Sequence, residues 1–317
     1  MKVITNFRNI EAKDSAVAIG FFDGVHKGHA ILLQQLTERA KEKGLQSVVI
    51  TFSKHPREIL GASYVPQLLT TNNERIALLE KYGIDVCILL DADKELFELS
   101  SRYFMQHYLV EKLNTKYLLV GYDHHFGNDR ENGYEYYKTI GQQCGIEVEQ
   151  GEALQLNGKG ISSSAVRRAL QDGQLKQAAN YLGYPYYICG TVISGQKVGR
   201  TIGFPTANIA INDVRKQLPK EGVYAVRTFL TNEDGSEVAH NGMLYIGKRP
   251  TFVTHAVARS IEVHLFGFTG DIYHKKIRLE LLEYVRDEVH FDSPDSLARQ
   301  LQCDRDELLE WFKEQDL

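Results

Sequence analysis

The chain has 317 residues, of which 43% are hydrophobic and 25% charged, which excludes a disordered or collagen-like protein. A prior of about 150 residues per domain predicts two domains for this length. The net charge of −4 argues against nucleic-acid binding. Four cysteines in a chain of this length and composition exclude a small disulfide scaffold, and the lack of a C-x-x-C pair disfavours a zinc site.

Membrane and export signals are absent from the sequence pattern. No run approaches the roughly 20 apolar residues that cross a bilayer. Residues 1–15 are polar and lack the apolar core of a signal peptide. We therefore expect a cytoplasmic protein with no membrane partner.

The first half alternates short apolar runs, typical of buried strands, with segments of helical spacing. The predicted strands are residues 16–22, 47–52, 85–90, 117–121 and 145–150. The predicted helices are residues 29–44, 72–83 and 101–113, and the first two end at glycines that suit a helix C-cap. Because apolar strands alternate with helices, we predict an α/β fold with a doubly wound parallel sheet covered on both faces.

From about residue 184 the pattern becomes β-rich, with period-2 runs separated by Gly, Asn and Asp turns. The predicted strands are residues 191–195, 222–230, 237–247, 259–268 and 275–285. Leu282 and Glu283 break the alternation of the last one. Ser293 and Pro294 predict the start of a terminal helix. These features favour a small antiparallel β-barrel with a C-terminal helix. We place the boundary so that the domains are residues 1–183 and 184–317.

A glycine-containing loop follows the first buried strand and runs Gly20-Phe-Phe-Asp-Gly-Val-His26-Lys-Gly28-His29. Such a loop lies at the carboxyl edge of a parallel sheet, where anions face the N-terminus of the next helix. His26 and His29 can share one side of the first helical turn, and Gly28 lets a nucleotide approach the backbone. The pattern predicts a site that stabilises charge while a phosphorus is attacked; a capped turn with two surface histidines is the alternative.

This run resembles the signature of the adenylyltransferase domain of the bacterial bifunctional riboflavin kinase/FAD synthetases. A second element of that family, Ile161-Ser-Ser-Ser-Ala-Val-Arg167, opens a helix, where a plain N-cap with a surface arginine is the alternative. The resemblance implies catalytic roles for His26 and His29. It also implies ATP or phosphate contacts from a set of loop and helix-start residues: Gly20, Asp23, Gly28, Ser162, Ser163, Ser164 and Arg167.

Two further stretches resemble flavin- and nucleotide-contacting loops of the family, with departures. Residues 51–57 carry Lys54 where the family has proline, and residues 120–127 carry His124-His125 where it has Phe-Arg. The second stretch implies flavin contacts from Asp123 and Phe126. Metal binding by the two adjacent histidines is disfavoured, because neighbouring residues at a strand end point to opposite faces.

The second half contains the run GTVISGQKVGRTIGFPTAN at residues 190–208. It is not a P-loop, because its glycines are one residue too close, arginine replaces lysine and no helix is predicted to follow. It resembles the riboflavin kinase signature, which implies ATP contacts from three residues: Gly195, Gly199 and Arg200. The same resemblance implies Mg²⁺ binding by Thr206 and Asn208, whose side-chain oxygens suit this hard cation.

Other elements of the kinase family follow in the same order. Glu262, in Ile-Glu-Val-His, matches the family's general base, which takes the proton of the 5′-hydroxyl of riboflavin. Arg286, in Val-Arg-Asp-Glu-Val-His-Phe, matches an arginine implied near the nucleotide or flavin.

The resemblance covers essentially the whole chain and implies a bifunctional enzyme of FAD biosynthesis. Such an enzyme phosphorylates riboflavin with ATP to FMN and ADP, then joins FMN to the AMP part of a second ATP, releasing FAD and pyrophosphate, with Mg²⁺ as cofactor. The alternative is a riboflavin kinase with an impaired adenylyltransferase half. A flavin-binding module without turnover is disfavoured because the base and the metal ligands are retained. No oligomeric state is predicted.

Overall fold

Runs rich in valine, isoleucine and leucine form the centre of the first of two units in the computed structural model of the chain. The structure describes residues 1–7, 13–122, 126–129, 133–152, 155–156, 159–195, 199, 202–232, 234–249 and 258–316. Internal contacts divide the chain into Met1–Ser163 and Ser164–Leu317.

The first unit is built on a parallel sheet. Its six strands within the described residues are β1 (Lys2–Ile4), β2 (Ser15–Ile19), β3 (Gln46–Phe52), β4 (Val86–Leu90), β5 (Thr115–Val120) and β6 (Glu147–Gln150). They lie in the order β1-β4-β3-β2-β5-β6, and each neighbouring pair is parallel. In the sheet, β3 lies on one side of β2 and β5 lies on the other, so the direction of strand order reverses at β2. Ligands of doubly wound sheets bind at such a reversal, beyond the carboxyl ends of the strands.

Helices connect these strands and cover the sheet, so that every residue of β2 is buried. They are α1 (Lys27–Lys43), α2 (Pro56–Ile59), α3 (Asn72–Glu80), α4 (Lys94–Glu98), α5 (Ser101–Phe104) and α6 (Gly133–Cys144), with a 3₁₀ turn at Asp23–Val25. A two-stranded hairpin, β7 (Gln155–Leu156) and β8 (Lys159–Gly160), follows β6. Among the helices that the structure describes, none has the length and apolar character needed to span a bilayer.

The third predicted helix, residues 101–113, differs from the prediction. After α5 the chain continues as a π-helix over Met105–Val110. In this wider turn the rings of Phe104 and Tyr108 stack with their centroids 5.1 Å apart, while Met105 and Leu109 are buried. The apolar spacing therefore identified a helical segment but not the type of helix.

The second unit contains the predicted antiparallel barrel. Its strands are β9 (Tyr187–Ile193), β10 (Ala207–Ala210), β11 (Gly222–Thr231), β12 (Glu237–Arg249), β13 (Ala258–Leu265) and β14 (Lys276–Arg286). They close in the order β10-β13-β12-β11-β14-β9. The terminal helix α9 (Pro294–Glu314) begins after Ser293, whose hydroxyl accepts the amide proton of Ser296 in a capping box, where the sequence predicted it to begin.

The broken alternation at Leu282 has a structural cause. Two register shifts in the pairing of β14 with β11 leave Leu282 and Val285 without a residue opposite them. A bulge redirects side chains, and these two pack with the cluster that contains Leu308 and Phe312 of α9. The interruption in the pattern thus marks where β14 turns toward the terminal helix.

Two helices precede the barrel: α7 (Ser163–Gln171) and α8 (Leu175–Leu182). The amide of Lys220, between β10 and β11, donates to the carbonyl of Leu170 at 3.0 Å, so the end of α7 is bonded to the second unit. α8 ends at Gly183 in a left-handed conformation with φ 88°. The domain boundary at residues 183 and 184 stays a prediction, and the division by contacts falls between Ser163 and Ser164, in the first turn of α7.

Candidate active sites

The loop after β2 enters α1 through a strained turn. Phe22 and Val25 have positive φ angles of 52° and 35°, which residues with side chains rarely adopt. Each such residue costs about 1–3 kcal/mol and persists only where surrounding contacts fix it. Phe22 and Val25 are both buried, so neighbouring packing supplies part of that support.

Asp23 also helps to hold this strained turn in place. Its carboxylate is buried and accepts hydrogen bonds from the amides of Leu69 and Thr70, both at 3.0 Å, and from the Thr70 hydroxyl at 3.1 Å. The Thr70 hydroxyl also accepts the amide proton of Gly24 at 3.0 Å. These bonds join the loop to the segment before α3. The phosphate contact predicted for Asp23 stays a prediction beside this observed structural role.

We expect Asp23→Ala to lower the free energy of unfolding by about 2–4 kcal/mol, because it leaves the buried amides of Leu69 and Thr70 without their acceptor. Urea denaturation of the full chain measures this change. Asp91→Ala is the control, since Asp91 is exposed and its carboxylate accepts from the Ser53 hydroxyl at 2.8 Å. Equal stability of the two variants would contradict the role of Asp23.

The two histidines lie at the N-terminus of α1. His26 is the N-cap, and its Nδ1 accepts the amide proton of His29 at 3.3 Å. The two imidazoles stack with their centroids 3.7 Å apart and their planes 14° apart. An imidazole that accepts at Nδ1 carries its proton on Nε2, so His26 can donate from that atom. The arrangement places two ring donors beside the positive end of a helix.

The second adenylyltransferase element lies beside this loop. Ser163 donates from its hydroxyl to the carbonyl of Asp23 at 3.0 Å. A Cβ added to Gly28 would lie 3.2 Å from the His26 ring and 3.7 Å from the carbonyl of Ile161, so a side chain there would crowd this junction. Ser162 is half-buried next to these residues. Ser164 and Arg167 follow on α7, and their phosphate contacts stay predictions.

A cavity of about 870 Å³ opens beyond the carboxyl ends of β2 and β3, near the reversal of strand order. Five phenylalanines line it: Phe21, Phe52, Phe97, Phe104 and Phe126. Its polar lining includes residues of the 51–57 stretch, the end of α4 and the loop after β5: His55, Arg57, Glu98 and Asn128. A mostly apolar cavity that contains several aromatic rings and a few polar groups suits a large planar ligand that carries a polar end.

Phe126, predicted to contact flavin, is held firmly in this wall. The hydroxyl of Tyr137 accepts the amide proton of Phe126 at 3.0 Å and donates to its carbonyl at 2.9 Å. The two rings stack with centroids 4.6 Å apart. Asp123 and the His124-His125 departure lie outside the described residues. Lys54, the other departure, has a half-exposed side chain that pairs with Asp91 at 3.4 Å.

Arg75 supports the same wall and was missed from the sequence. It is fully buried on α3, and its guanidinium lies 4.5 Å from the centroid of the Phe21 ring. Its Nη2 donates to the carbonyl of Phe52 at 2.6 Å and to Asn72 at 2.8 Å. The sequence did carry one signal for it: an arginine on the buried face of a predicted helix needs hydrogen-bond partners in the protein interior.

The second site forms where β10 pairs with β13. The register places Asn208 directly opposite Glu262, so their side chains share one face of the barrel wall. The hydroxyl of Thr206 donates to Oε2 of Glu262 at 3.2 Å, and the hydroxyl of Ser260 donates to Oε1 at 2.7 Å. Three of the predicted residues are therefore together, with Ser260 as an addition that the sequence did not indicate.

Two glycines of the kinase signature leave room for these side chains. A Cβ added to Gly195 would lie 2.1 Å from Nδ2 of Asn208. A Cβ added to Gly199 would lie 2.2 Å from the carbonyl oxygen of Phe204 and 3.3 Å from the hydroxyl oxygen of Thr206. The backbone therefore approaches Thr206 and Asn208 more closely than any larger residue would allow. Arg200 lies outside the described residues.

We expect Gly195→Ala to slow FMN formation about 100-fold, because a displacement of Asn208 by about 1 Å has an effect of this size on a reacting site. Steady-state assays of FMN formation measure the loss. The control is Gly267→Asn, where nothing lies within 4 Å of an added Cβ and asparagine tolerates the positive φ of 64°. If the two variants formed FMN at the same rate, the close approach of Gly195 to Asn208 would have no functional role.

Arg286 has a structural partner. It donates from Nε and Nη2 to the carboxylate of Asp304 on α9, at 2.9 and 2.7 Å, and from Nη1 to the carbonyl of Asp287. These bonds join β14 to the terminal helix, and the flavin contact predicted for Arg286 stays a prediction.

His264 contacts the loop before β10: its Nδ1 lies 2.8 Å from the carbonyl oxygen of Pro205. Burial lowers the pKa of the His264 imidazole.

Family models match both units. A model described as FAD synthetase matches residues 8–165, and one described as riboflavin kinase matches residues 182–312. A crystal structure described as a macrolide-efflux protein from Streptococcus pneumoniae superposes with a TM-score of 0.84 at 31% identity, covering 96% of this chain and 97% of that one. The fold is therefore shared over both units.

Curated proteins that match over more than 90% of their own length and of this chain are named for two activities. Bifunctional riboflavin kinase/FMN adenylyltransferase of Haemophilus influenzae is 38% identical over 91% of each chain. The protein of that name from Escherichia coli K12 is 35% identical over 97% of this chain and 96% of its own. The family resemblance seen in the sequence is thus confirmed, and the chain belongs to the bifunctional riboflavin kinase/FMN adenylyltransferase family, with a FAD synthetase domain and a riboflavin kinase domain.

Proposed function

We propose that the protein makes FAD from riboflavin in two ATP-dependent steps at two separate sites, one in each unit. The barrel phosphorylates riboflavin to FMN and ADP, and the first unit converts FMN to FAD and pyrophosphate. The observation that carries this proposal is the contact of Glu262 with Thr206, opposite Asn208, in a chain whose first unit also keeps the stacked His26 and His29.

In the kinase step Glu262 acts as the general base. Its carboxylate takes the proton of the 5′-hydroxyl of riboflavin, and the hydroxyl oxygen then attacks the γ-phosphorus of ATP while ADP leaves. The carboxylate accepts hydrogen bonds from the hydroxyls of Thr206 and Ser260, which hold it in place to take this proton. Gly195, Gly199 and Arg200 contact ATP in this proposal.

The residues opposite Glu262 suit a magnesium ion. Thr206 offers a hydroxyl oxygen, whose proton is hydrogen-bonded to Glu262, and Asn208 offers the oxygen of its side-chain amide, which packs closely against Gly195. Oxygen donors of this kind match the preference of Mg²⁺. When bound by Thr206 and Asn208, a Mg²⁺ ion would neutralise part of the negative charge on the ATP phosphates.

In the adenylylation step a phosphate oxygen of FMN attacks the α-phosphorus of ATP, and pyrophosphate leaves. His26 and His29 stabilise the charge that develops on the phosphate, together with the amides at the start of α1. Gly20, Asp23 and Gly28 shape the ATP loop, and three serines with one arginine bind phosphates: Ser162, Ser163, Ser164 and Arg167. No covalent intermediate is needed, because positioning and charge stabilisation carry this transfer.

The flavin ring of FMN occupies the aromatic cavity in this proposal. Phe126 is already fixed in its wall by Tyr137, and an apolar cavity of about 870 Å³ is large enough for a tricyclic ring system. Asp123 contacts the flavin from the same loop. Arg286 contacts flavin in the barrel site.

The proposal is tested by incubating the purified chain with riboflavin, ATP and MgCl₂ and separating the flavins by chromatography. We expect FMN to appear first and FAD to follow, and added FMN to be converted to FAD. A product that stops at FMN, with added FMN unconverted, would instead support a riboflavin kinase with an impaired first unit. Unchanged riboflavin would contradict the kinase assignment.

A further inference from the structure

One face of β13 carries a buried polar group next to Glu262. Ser260 lies two residues before Glu262, and side chains two apart on a strand point to the same face. Ser260 is 6% exposed, and its hydroxyl donates to Oε1 of Glu262 at 2.7 Å. Its contact is therefore with the base itself, in a position that solvent hardly reaches.

Thr206 and Ser260, both within the described residues, donate to different oxygens of Glu262. Thr206 donates to Oε2 and Ser260 to Oε1. The terminal torsion of a glutamate has no narrow staggered minimum, so a carboxylate held at one oxygen can still rotate. Bonds at both oxygens fix the plane of the carboxylate and thereby the direction in which it can accept a further proton.

We propose that Ser260 is a positioning residue for the kinase reaction, acting through Glu262. This inference rests on the proposed function of Glu262 as the base. Ser260 holds the carboxylate plane in the orientation that reaches the hydroxyl of riboflavin, while Thr206 is engaged on the other oxygen. Removing the Ser260 hydroxyl takes away the hydrogen bond at Oε1, so the carboxylate is held less firmly in this orientation and fewer of its contacts with bound riboflavin lead to reaction.

The expected signature is a loss of turnover without a loss of binding. We expect Ser260→Ala to lower kcat for FMN formation about 10- to 100-fold, the size of effect that follows from loosening a catalytic group by a fraction of an ångström to about one ångström. The KM values for riboflavin and ATP stay within about twofold, because the proposed ATP, metal and flavin contacts are untouched.

A matched pair of variants separates the hydroxyl from packing. Ser260→Thr keeps a hydroxyl on a β-branched side chain that suits a strand, and Ser260→Val has almost the same shape without the hydroxyl. We expect Ser260→Thr to keep most of the wild-type kcat and Ser260→Val to lose as much as Ser260→Ala. Equal kcat values for the Thr and Val variants would overturn the inference, whatever the stability of the alanine variant.

The barrel also offers a control serine whose hydroxyl donates to a carboxylate two residues away in the sequence. Ser236 donates from its hydroxyl to Asp234, two residues away, at 2.6 Å in the turn between β11 and β12. We expect Ser236→Ala to form FMN at the wild-type rate. A kcat for Ser260→Ala equal to that of Ser236→Ala would overturn the positioning role.

Comparison with Glu262→Gln separates failure of this inference from failure of the proposed function. If Glu262→Gln loses FMN formation while Ser260→Ala and Ser260→Val keep it, only the role of Ser260 is wrong. If Glu262→Gln forms FMN at the wild-type rate, the assignment of the base fails and the inference fails with it.

Discussion

Glu262→Gln is expected to lower the rate of FMN formation from riboflavin by about 10²- to 10⁴-fold, the range that a general base contributes. The substitution keeps the size of the side chain and removes its ability to take a proton. The conversion of added FMN to FAD is expected to proceed at the wild-type rate, because the stacked histidines lie in the other unit. Chromatography of the flavin products from the two substrates measures both rates.

The control for this variant is a glutamate of the barrel that forms an ion pair away from Thr206 and Asn208. Glu237, at the start of β12, pairs with Arg278 at 2.6 Å, and we expect Glu237→Gln to phosphorylate riboflavin normally. If Glu262→Gln stopped FAD formation from added FMN while the chain stayed folded, the assignment of two separate sites would be wrong.

His29→Ala is expected to have the opposite effect. The conversion of FMN to FAD falls by about 10²- to 10³-fold, the cost of removing one donor that stabilises charge in a transition state. Riboflavin phosphorylation continues, so FMN accumulates. Alanine is the best helix former and keeps the first turn of α1, so the loss reports on the imidazole. The rate of FAD formation from added FMN and ATP measures it.

Two histidine variants check the interpretation. His26→Asn keeps a side-chain acceptor at the N-cap and removes the ring, so we expect FAD formation to fall while the helix stays capped. His107→Ala removes a half-exposed histidine that pairs with Glu111 at 3.0 Å in the same unit, and we expect no effect on either step. If His29→Ala formed FAD from added FMN and ATP at the wild-type rate, the proposed adenylylation site would be contradicted.

The sequence predicted the architecture well because both units follow simple periodic patterns. Apolar runs with intervening helices predicted the parallel sheet, and the structure confirms it. The edge strand β1, residues Lys2–Ile4, was missed because its side chains are mostly exposed and give no buried run. The short strand β10, Ala207–Ala210, was missed because it lies inside a motif rich in glycine and proline.

The sites were predictable as motifs but not as contacts. The spacing of His26 and His29 indicated a shared side of a helical turn, which their stacked rings bear out. The partners that fix the site residues lie far along the chain: Thr70 for Asp23, and Tyr137 for Phe126. Such pairs depend on how strands and helices are brought together, and one sequence carries no signal for them.

The central claim is that each unit performs one step independently, and mixing two variants tests it most directly. His29→Ala alone, given riboflavin, ATP and Mg²⁺, should stop at FMN, and Glu262→Gln alone should leave riboflavin unchanged. The two variants together should form FAD, because FMN released by the first is adenylylated by the second. If either substitution abolished both steps in a folded chain and the mixture formed no FAD, the account of two independent sites would be contradicted.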